Sequence, residues 1–167
     1  MTLETERLLL THWQPSDVDD FRPIATDPEV MRYITGGVPW SEDMIRSFVD
    51  RQISQYRELG FCRWKLLEKQ TEKMIGFCGV VVWRDTTYLE IGWWLAPAWW
   101  GRGLATEAAR AALEDVFERV KLDRVVSIAV PANTASIRIM KKLGLQFAQE
   151  FDKDGVHLVQ YALNRPA

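Results

Sequence analysis

The sequence predicts an α/β layered domain with the element order βα(α)βββαβαββ. Three observations carry that class. Segments with the two-residue repeat of strands are interleaved with segments having the 3.6-residue repeat of helices. Three strand-like stretches, Phe61 to Leu67, Met74 to Trp83 and Tyr88 to Leu95, are separated only by turns at Gln70 to Lys73 and Arg84 to Thr86, so they form an antiparallel meander. Beyond them a helix, a strand, a helix and a hairpin follow in turn, which calls for helices layered on a sheet. The 167 residues suit one domain, residues 1–167, with a single core, and no repeat, linker or low-complexity tract divides them.

In chain order, Arg7 to Trp13 reads as a first strand. Pro15-Ser16-Asp17 is a helix start, with proline early and acids in the first turn, and the helix runs from Asp17 to Ala25. Asp27-Pro28 interrupts it, because the residue before proline avoids the α region. Glu29 to Ile34 adds a helical turn before the flexible Gly36-Gly37. Ser41 to Leu59 is the clearest amphipathic helix: Ser41 is its N-cap, and Ile45, Phe48, Val49, Gln52, Ile53 and Tyr56 form a stripe in which only Gln52 is polar. Gly60 stops it. Leu104 to Val120 is a second long helix, with Ala105, Ala109, Ala112, Leu113, Val116, Phe117 and Val120 inward. Arg124 to Val130 is a strand rich in β-branched residues and ends at Pro131. Asn133 starts a helix to Leu143 with Ile137, Met140 and Leu143 inward, and Gln146 to Phe151 and Val156 to Leu163 close the chain as a hairpin around Asp154-Gly155.

Composition excludes several classes. The chain is 47% hydrophobic and 26% charged, with a formal charge of −2 from 21 basic and 23 acidic residues. No basic tract suggests nucleic acid. The longest apolar runs are too short for a bilayer, and MTLETERLLL lacks the basic start and long apolar core of a signal peptide, so neither membrane nor export is expected and the location is read as cytoplasmic. Cys62 and Cys78 lie within apolar strands and read as buried thiols. With His12 and His157 they give no metal-ligand spacing, and no metal is expected.

Tyr88 to Ala112 organises the chain: a strand, a turn at Ala96-Pro97, the loop Gly101-Arg102-Gly103 and a helix. Glycines before a helix let a ligand approach the backbone, and the first-turn amides with the positive helix end favour phosphate. This is not a P-loop, because Leu104-Ala105 stand where Lys and Ser/Thr belong. The dinucleotide fingerprint fails too, with Thr106 in place of its third glycine and no acid after the next strand. Of the eight tryptophans, Trp93, Trp94, Trp99 and Trp100 fall in this stretch; Trp93, alternating with Ile91, is expected in the core, the other reading being an apolar channel or acceptor pocket.

Taken together, ETERLLL, DPEVMRYI, WWGRGLATEA and NTASIRIMKKLGL resemble, in order and over nearly the whole chain, the GNAT superfamily of acyl-CoA-dependent N-acetyltransferases, and in particular its RimJ/RimL-like branch. That resemblance implies a mixed, mostly antiparallel sheet flanked by helices, with two strands splayed at an acetyl-CoA site. Gly103 and Ala105 match the last two positions of the family's Arg/Gln-x-x-Gly-x-Gly/Ala loop; Trp100 occupies its Arg/Gln position, a departure that touches only a side-chain contribution. The resemblance implies that the amides of Gly101, Arg102, Gly103, Leu104, Ala105 and Thr106 hold the coenzyme pyrophosphate. It places the backbones of Leu95 and Ala96 along the pantetheine arm, as a strand edge would meet an added strand, and makes Asn133 a coenzyme contact. It further implies direct attack of a primary amine, from a protein N-terminus or a small molecule, on acetyl-CoA in a ternary complex, by a monomer or homodimer and without a metal.

Acetyl transfer from a thioester requires an unprotonated amine, a donor for the tetrahedral oxyanion and relief of the leaving thiolate. Glu90, before Ile91-Gly92, stands where the family often carries a catalytic glutamate; the other reading is a structural glutamate. The Leu95 N–H is the oxyanion donor expected from strand-edge geometry. Met140 stands where much of the family has a tyrosine and cannot donate a proton. Ser136, one turn earlier, matches a serine proposed as the acid in the branch; its alternatives are a hydroxyl bonded to its own backbone, or protonation by water or by the departing amine proton. Arg138, Lys141 and Lys142 either reach the coenzyme's 3′-phosphate or form a solvated face. A catalytically silent acyl-CoA-binding or regulatory module is the competing function.

Overall fold

Strands β1 (Leu3–Glu4), β2 (Leu8–Thr11), β3 (Arg63–Glu68), β4 (Met74–Val82), β5 (Leu89–Leu95), β6 (Arg124–Ala129), β7 (Gln146–Lys153) and β8 (Val156–Asn164) form one sheet in the computed structural model, which describes residues 1–167. Their order is β1-β2-β3-β4-β5-β6-β8-β7. Every neighbouring pair is antiparallel except β5 and β6, which run parallel and pair at one position, Glu90 with Val126. The mixed, mostly antiparallel sheet with a splayed pair is the expected class. The returning strand β8 inserts between β6 and β7, an order that a hairpin sequence leaves open.

The helices are α1 (Val18–Ala25), α2 (Pro28–Met31), α3 (Glu42–Leu59), α4 (Leu104–Glu118) and α5 (Thr134–Lys142). Ser41 caps α3 by accepting the Met44 N–H at 3.2 Å, and Gly60 ends it at φ 80°, where a side chain would be strained. The first strand is shorter than expected because Trp13 leaves it: the indole donates to Arg63 O at 2.6 Å and its ring packs edge-on to Phe21 and Phe48. The polar member of the α3 stripe is buried for a reason: Gln52 Oε1 accepts the Arg63 N–H at 3.0 Å, where β2 has ended and can no longer pair with β3.

Helices cover both faces of the sheet. On one, Ala105, Ala108, Ala109, Ala112, Leu113, Val116 and Phe117 of α4, with Met140 of α5, pack on Leu10, Trp64, Leu66, Cys78, Val80, Ile91 and Leu95. The alanines bring α4 close to the strands. On the other, Phe21 of α1 and Phe48 and Val49 of α3 meet Phe77 and Trp94. Trp94 lies 5.0 Å from Phe77 and 4.7 Å from Trp40, ring centre to ring centre, so the segment after α2 is pinned to β5. The β5 alternation, Ile91 and Leu95 to one layer and Trp94 to the other, is the strand period of two made physical. Trp93, expected in the core, is only half-buried.

A buried ion pair joins the helical start to the sheet. Lys65 Nζ lies 3.0 and 2.9 Å from the two Asp17 oxygens, and Asp17 Oδ2 also accepts the Gln14 N–H at 2.7 Å. Removing one partner of such a pair leaves an unpaired buried charge and costs about 3–5 kcal/mol. Lys65→Met should therefore lower the thermal midpoint by roughly 6–20 °C, and Asp17→Asn/Lys65→Met should recover much of that loss. A Lys65→Met melt that overlays wild type would show the pair to be screened by water.

Candidate active site

The end of β5 is built to leave backbone groups open. The Ala96 N–H donates to Ile75 O at 2.8 Å, so Leu95 and Gly76 are a non-hydrogen-bonded pair. The N–H and C=O of Leu95, and by alternation those of Trp93 and Ile91, therefore point away from β4 and toward β6. Ile91 is met there: its carbonyl accepts from Ser127 Oγ at 3.0 Å. Beyond it the β5–β6 ladder has ended, and Trp93 and Leu95 turn their backbones to a gap. The Leu95 carbonyl accepts from Trp100 Nε1 at 2.8 Å, which ties the following loop back and leaves the Leu95 N–H facing the opening. Ala96 has no free donor for an arm, its N–H being spent on Ile75, and its carbonyl already accepts from the Trp99 N–H at 2.9 Å. Of the two expected positions, Leu95 turns a free donor to the gap and Ala96 does not, and the strand period adds Trp93.

The loop supplies donors. Gly101 and Gly103 have φ of 73° and 76° while Arg102 between them stays negative, an alternation that turns successive N–H groups into one concavity. Gly103 is the N-cap of α4 and has no side chain to satisfy the first turn. None of the six amides from Gly101 to Thr106 meets an acceptor within the chain; the first to do so is Glu107, to Gly103 O. Six free amides at the positive end of a 15-residue helix form an anion site.

These groups share one cleft of about 540 Å³. Glu90, Leu95, Gly101, Gly103, Leu104, Ala105, Thr106, Asn133 and Ser136 all line it, with Arg138, Met140 and Lys142. Arg102 and Lys141 do not; Arg102 lies over the Trp99 ring at 4.9 Å. Glu29, Val30, Arg32, Tyr33 and Ile34 also line it, with Trp93 and Trp99, whereas the C-terminal hairpin lines none of it. A second concavity of about 560 Å³ between α4 and the C-terminal residues contains none of the candidate site residues.

Glu90 is 5% exposed and its Oε2 meets Arg63 Nη2 at 2.5 Å. Burial pushes its carboxyl up from the ordinary carboxylate range, against the pull of the Arg63 charge and hydrogen bond. Asn133 Oδ1 caps α5 by accepting the Ser136 N–H at 3.3 Å, and the Ser136 hydroxyl makes no hydrogen bond to its own helix. Met140 is buried. Burial also pushes the Cys62 thiol up to about 12 and raises Cys78, which leaves neither as a thiolate near neutral pH.

The profile of the family described as "Acetyltransferase (GNAT) domain" matches residues 7–146. The chain belongs to the GNAT family of acetyltransferases. It is an acetyl-CoA-dependent N-acetyltransferase. The protein described as "Uncharacterized N-acetyltransferase p20" of Bacillus licheniformis is 31% identical over 150 residues, 87% of this chain and 82% of that protein. The crystal structure of an acetyltransferase of the GNAT family from Bacillus anthracis is 27% identical with a TM-score of 0.83, over 99% of both chains. The fold is also that of RimL, the ribosomal L7/L12 alpha-N-protein acetyltransferase solved with coenzyme A, at 15% identity and a TM-score of 0.81 over 98% of both chains.

The structure adds residues that sequence reasoning missed in this GNAT site. The ETERLLL opening is a clamp on the amide-rich turn. Thr5 Oγ1 donates to Glu107 Oε1 at 2.6 Å, Arg7 N–H to the same oxygen at 2.9 Å, and Arg7 Nε to Oε2 at 2.7 Å. Arg7 Nη1 reaches the Arg102 carbonyl at 2.9 Å. Arg63 is the other omission; it is one of two cations in its strand, with Lys65, and nothing in the sequence set the two apart.

Burial works to raise the Glu107 carboxyl, but the bonds from Thr5 and Arg7 and the Arg7 charge outweigh it and hold the group below its usual value. A carboxylate lowered on folding stabilises above its unfolded pKa of about 4.3, and loses that contribution as pH falls through the lower folded value. Glu107→Gln should thus lower the unfolding free energy measured in urea near neutrality by about 1.5–3 kcal/mol, for a charged hydrogen-bonded group, and the gap to wild type should close between about pH 4.3 and more acid values. Urea titrations from neutral pH downward check this; a gap constant with pH would exclude the charged clamp.

Proposed function

We propose that this protein acetylates a primary amine by direct attack on acetyl-CoA in a ternary complex, as in the RimJ/RimL-like branch. The observation that carries the reading is that a buried carboxylate, an outward strand-edge amide and the free helix-start amides of Gly101, Gly103, Leu104, Ala105 and Thr106 line one cleft. The amides of Gly101 to Thr106 hold the pyrophosphate, Arg102 through its backbone. Asn133 contributes its side-chain NH2, the oxygen being engaged as a cap. Arg138 and Lys142, exposed at the cleft without acidic partners, meet the 3′-phosphate. The arm lies along Trp93 and Leu95, whose open backbone groups continue the sheet.

The chemistry follows from the same placement. Glu90 accepts the amine proton, directly or through water. The amine nitrogen bonds to the thioester carbon, and the carbonyl oxygen, now an anion, is held by the Leu95 N–H. The carbon–sulfur bond then breaks, the departing sulfur takes a proton from the Ser136 hydroxyl, and the proton that the new amide nitrogen sheds restores that hydroxyl, through water. Acceptors enter past Glu29 to Ile34; protein N-termini and small amines both fit an open end of this kind.

Release of free thiol from acetyl-CoA with a panel of amines and peptides tests the reading. Wild type should turn over, and Glu90→Gln should lose roughly 10²–10⁴-fold in rate, the magnitude of general base catalysis, with the deficit shrinking at high pH where free amine is abundant. Retained acetyl-CoA binding without turnover by any amine or peptide of the panel would overturn the proposed mechanism.

Ser136→Ala separates the proton donors. It should lower turnover by about ten- to a thousand-fold if protonation of sulfur limits the rate, with acetyl-CoA affinity nearly intact because the free amides belong to a different helix. Wild-type turnover by Ser136→Ala with a good acceptor would assign protonation to water or to the amine proton.

A further inference from the structure

Arg63 is held more completely than its place at the start of a strand requires. Its N–H donates to Gln52 Oε1 at 3.0 Å and its C=O accepts from the Trp13 indole at 2.6 Å, so two buried side chains from different elements fix its backbone. Its side chain then crosses the sheet. Arg63 pairs with Gly79 on β4, and Gly79 pairs with Gly92 on β5, so two neighbouring strands present no side chain along its path. The guanidinium passes 5.2 Å from the Phe77 ring centre and ends at Glu90, two strands away. A Cβ built on Gly92 would lie 2.7 Å from Arg63 Nη2 and 3.2 Å from Glu90 Oε1. Gly92 does not occupy the left-handed region, so room for the ion pair, not backbone conformation, is what glycine supplies there. Arg63 Nε is buried with no partner; the side chain's one hydrogen bond goes to Glu90.

We infer that Arg63 is the positioning residue for Glu90: laid along the Gly79–Gly92 track, its guanidinium keeps a buried carboxylate ionised and fixed at the cleft. The inference rests on the proposed role of Glu90 as base and names what makes that role workable. A carboxyl 5% exposed is driven toward its neutral form by burial, and a neutral carboxyl accepts no proton from an amine. The charges around it leave this task to Arg63. Arg84, in the turn after β4, acts by charge alone, without a hydrogen bond; Glu29 and Arg32 line the cleft but make no contact with the carboxylate; Lys65 is held by Asp17; and β6 and β8 bring Val126, Ser127 and Gln160, which carry no charge.

Carboxyl-¹³C glutamate NMR reads the Glu90 titration without acetyl-CoA or acceptor, the resonance being assigned by its loss in E90Q. Arg63→Met should raise the Glu90 midpoint by about 1–3 pH units, the shift an adjacent opposite charge produces. R63K should raise it less. Gly92→Ala keeps the guanidinium but pushes it off the carboxylate, and should move the midpoint in the same direction as R63M. If R63M does not fold, R63K and G92A carry the test. In kcat/KM profiles with one acceptor, the acid limb should move with the NMR midpoint, a shift that general loss of structure does not produce. An unmoved Glu90 midpoint in folded R63M or R63K and in G92A overturns the inference. If E90Q keeps the wild-type acid limb while the Glu90 resonance still shifts in R63M, the base assignment fails and the positioning of the carboxylate by Arg63 stands.

Discussion

The site depends on one interruption in hydrogen bonding. Inside a sheet, the N–H and C=O groups of a strand are normally paired on both sides. Strand β5 keeps its β4 partner from Leu89 to Leu95 but pairs with β6 only at Glu90 and Val126. Past that point the outward groups of Trp93 and Leu95 need another partner, and an extended polar chain is the chemistry that supplies one. The parallel crossover makes the gap useful. The chain leaves the C-terminal end of β5, folds α4 and returns as β6, so the starts of α4 and α5 both open where the strands diverge. Gly103 and Asn133, the N-caps of those helices, accordingly line the same cleft. Ligand sites at the carboxyl ends of parallel strands follow from this geometry in open α/β sheets generally.

The first half of the chain makes the interruption rigid. Thr5 and Arg7 hold Glu107 and the Arg102 carbonyl, which fixes the turn whose amides face the cleft. On the opposite sheet face, Trp40 pins the segment after α2 to Trp94, and Trp94 is backed by Phe77. Free donors are useful to an anion only if they already point inward, since ordering them on binding would subtract from affinity. The N-terminal strands and the aromatic cluster supply that order through contacts distant in sequence.

Those distances explain what was legible in the sequence. Local signals were reliable: the Ser41 cap, the Gly60 stop, the alanine face of α4 and the two glycines before it each depend on a few adjacent residues. The meander was readable because its turns are short. Residues joined only by the tertiary fold were not. Nothing near Arg7 names Glu107 as its partner, and nothing near Arg63 indicates that two glycines, on different strands, leave a path to Glu90. The difference between Leu95 and Ala96 has another cause. The resemblance placed consecutive residues along the arm, but a strand alternates its hydrogen-bonding direction, so Leu95 and Trp93 face the gap and Ala96 faces β4. The exposure of Trp93 follows from the same divergence, since the strand that would have covered it has turned away.

The alternation also explains how one short strand serves structure and chemistry together. Side chains of Ile91 and Leu95 pack under α4, and Trp94 packs under α3, so β5 is held from both faces. Its polar residue, Glu90, lies at the last position where β6 still pairs, and so borders both the closed part of the sheet and the cleft. Burial and the Arg63 charge oppose each other at Glu90, and their balance sets proton affinity in a way that neither would alone. Gly92 belongs to that balance as much as the charged residues do. A methyl group there would not disturb the backbone, yet it would occupy the space in which the two charges meet.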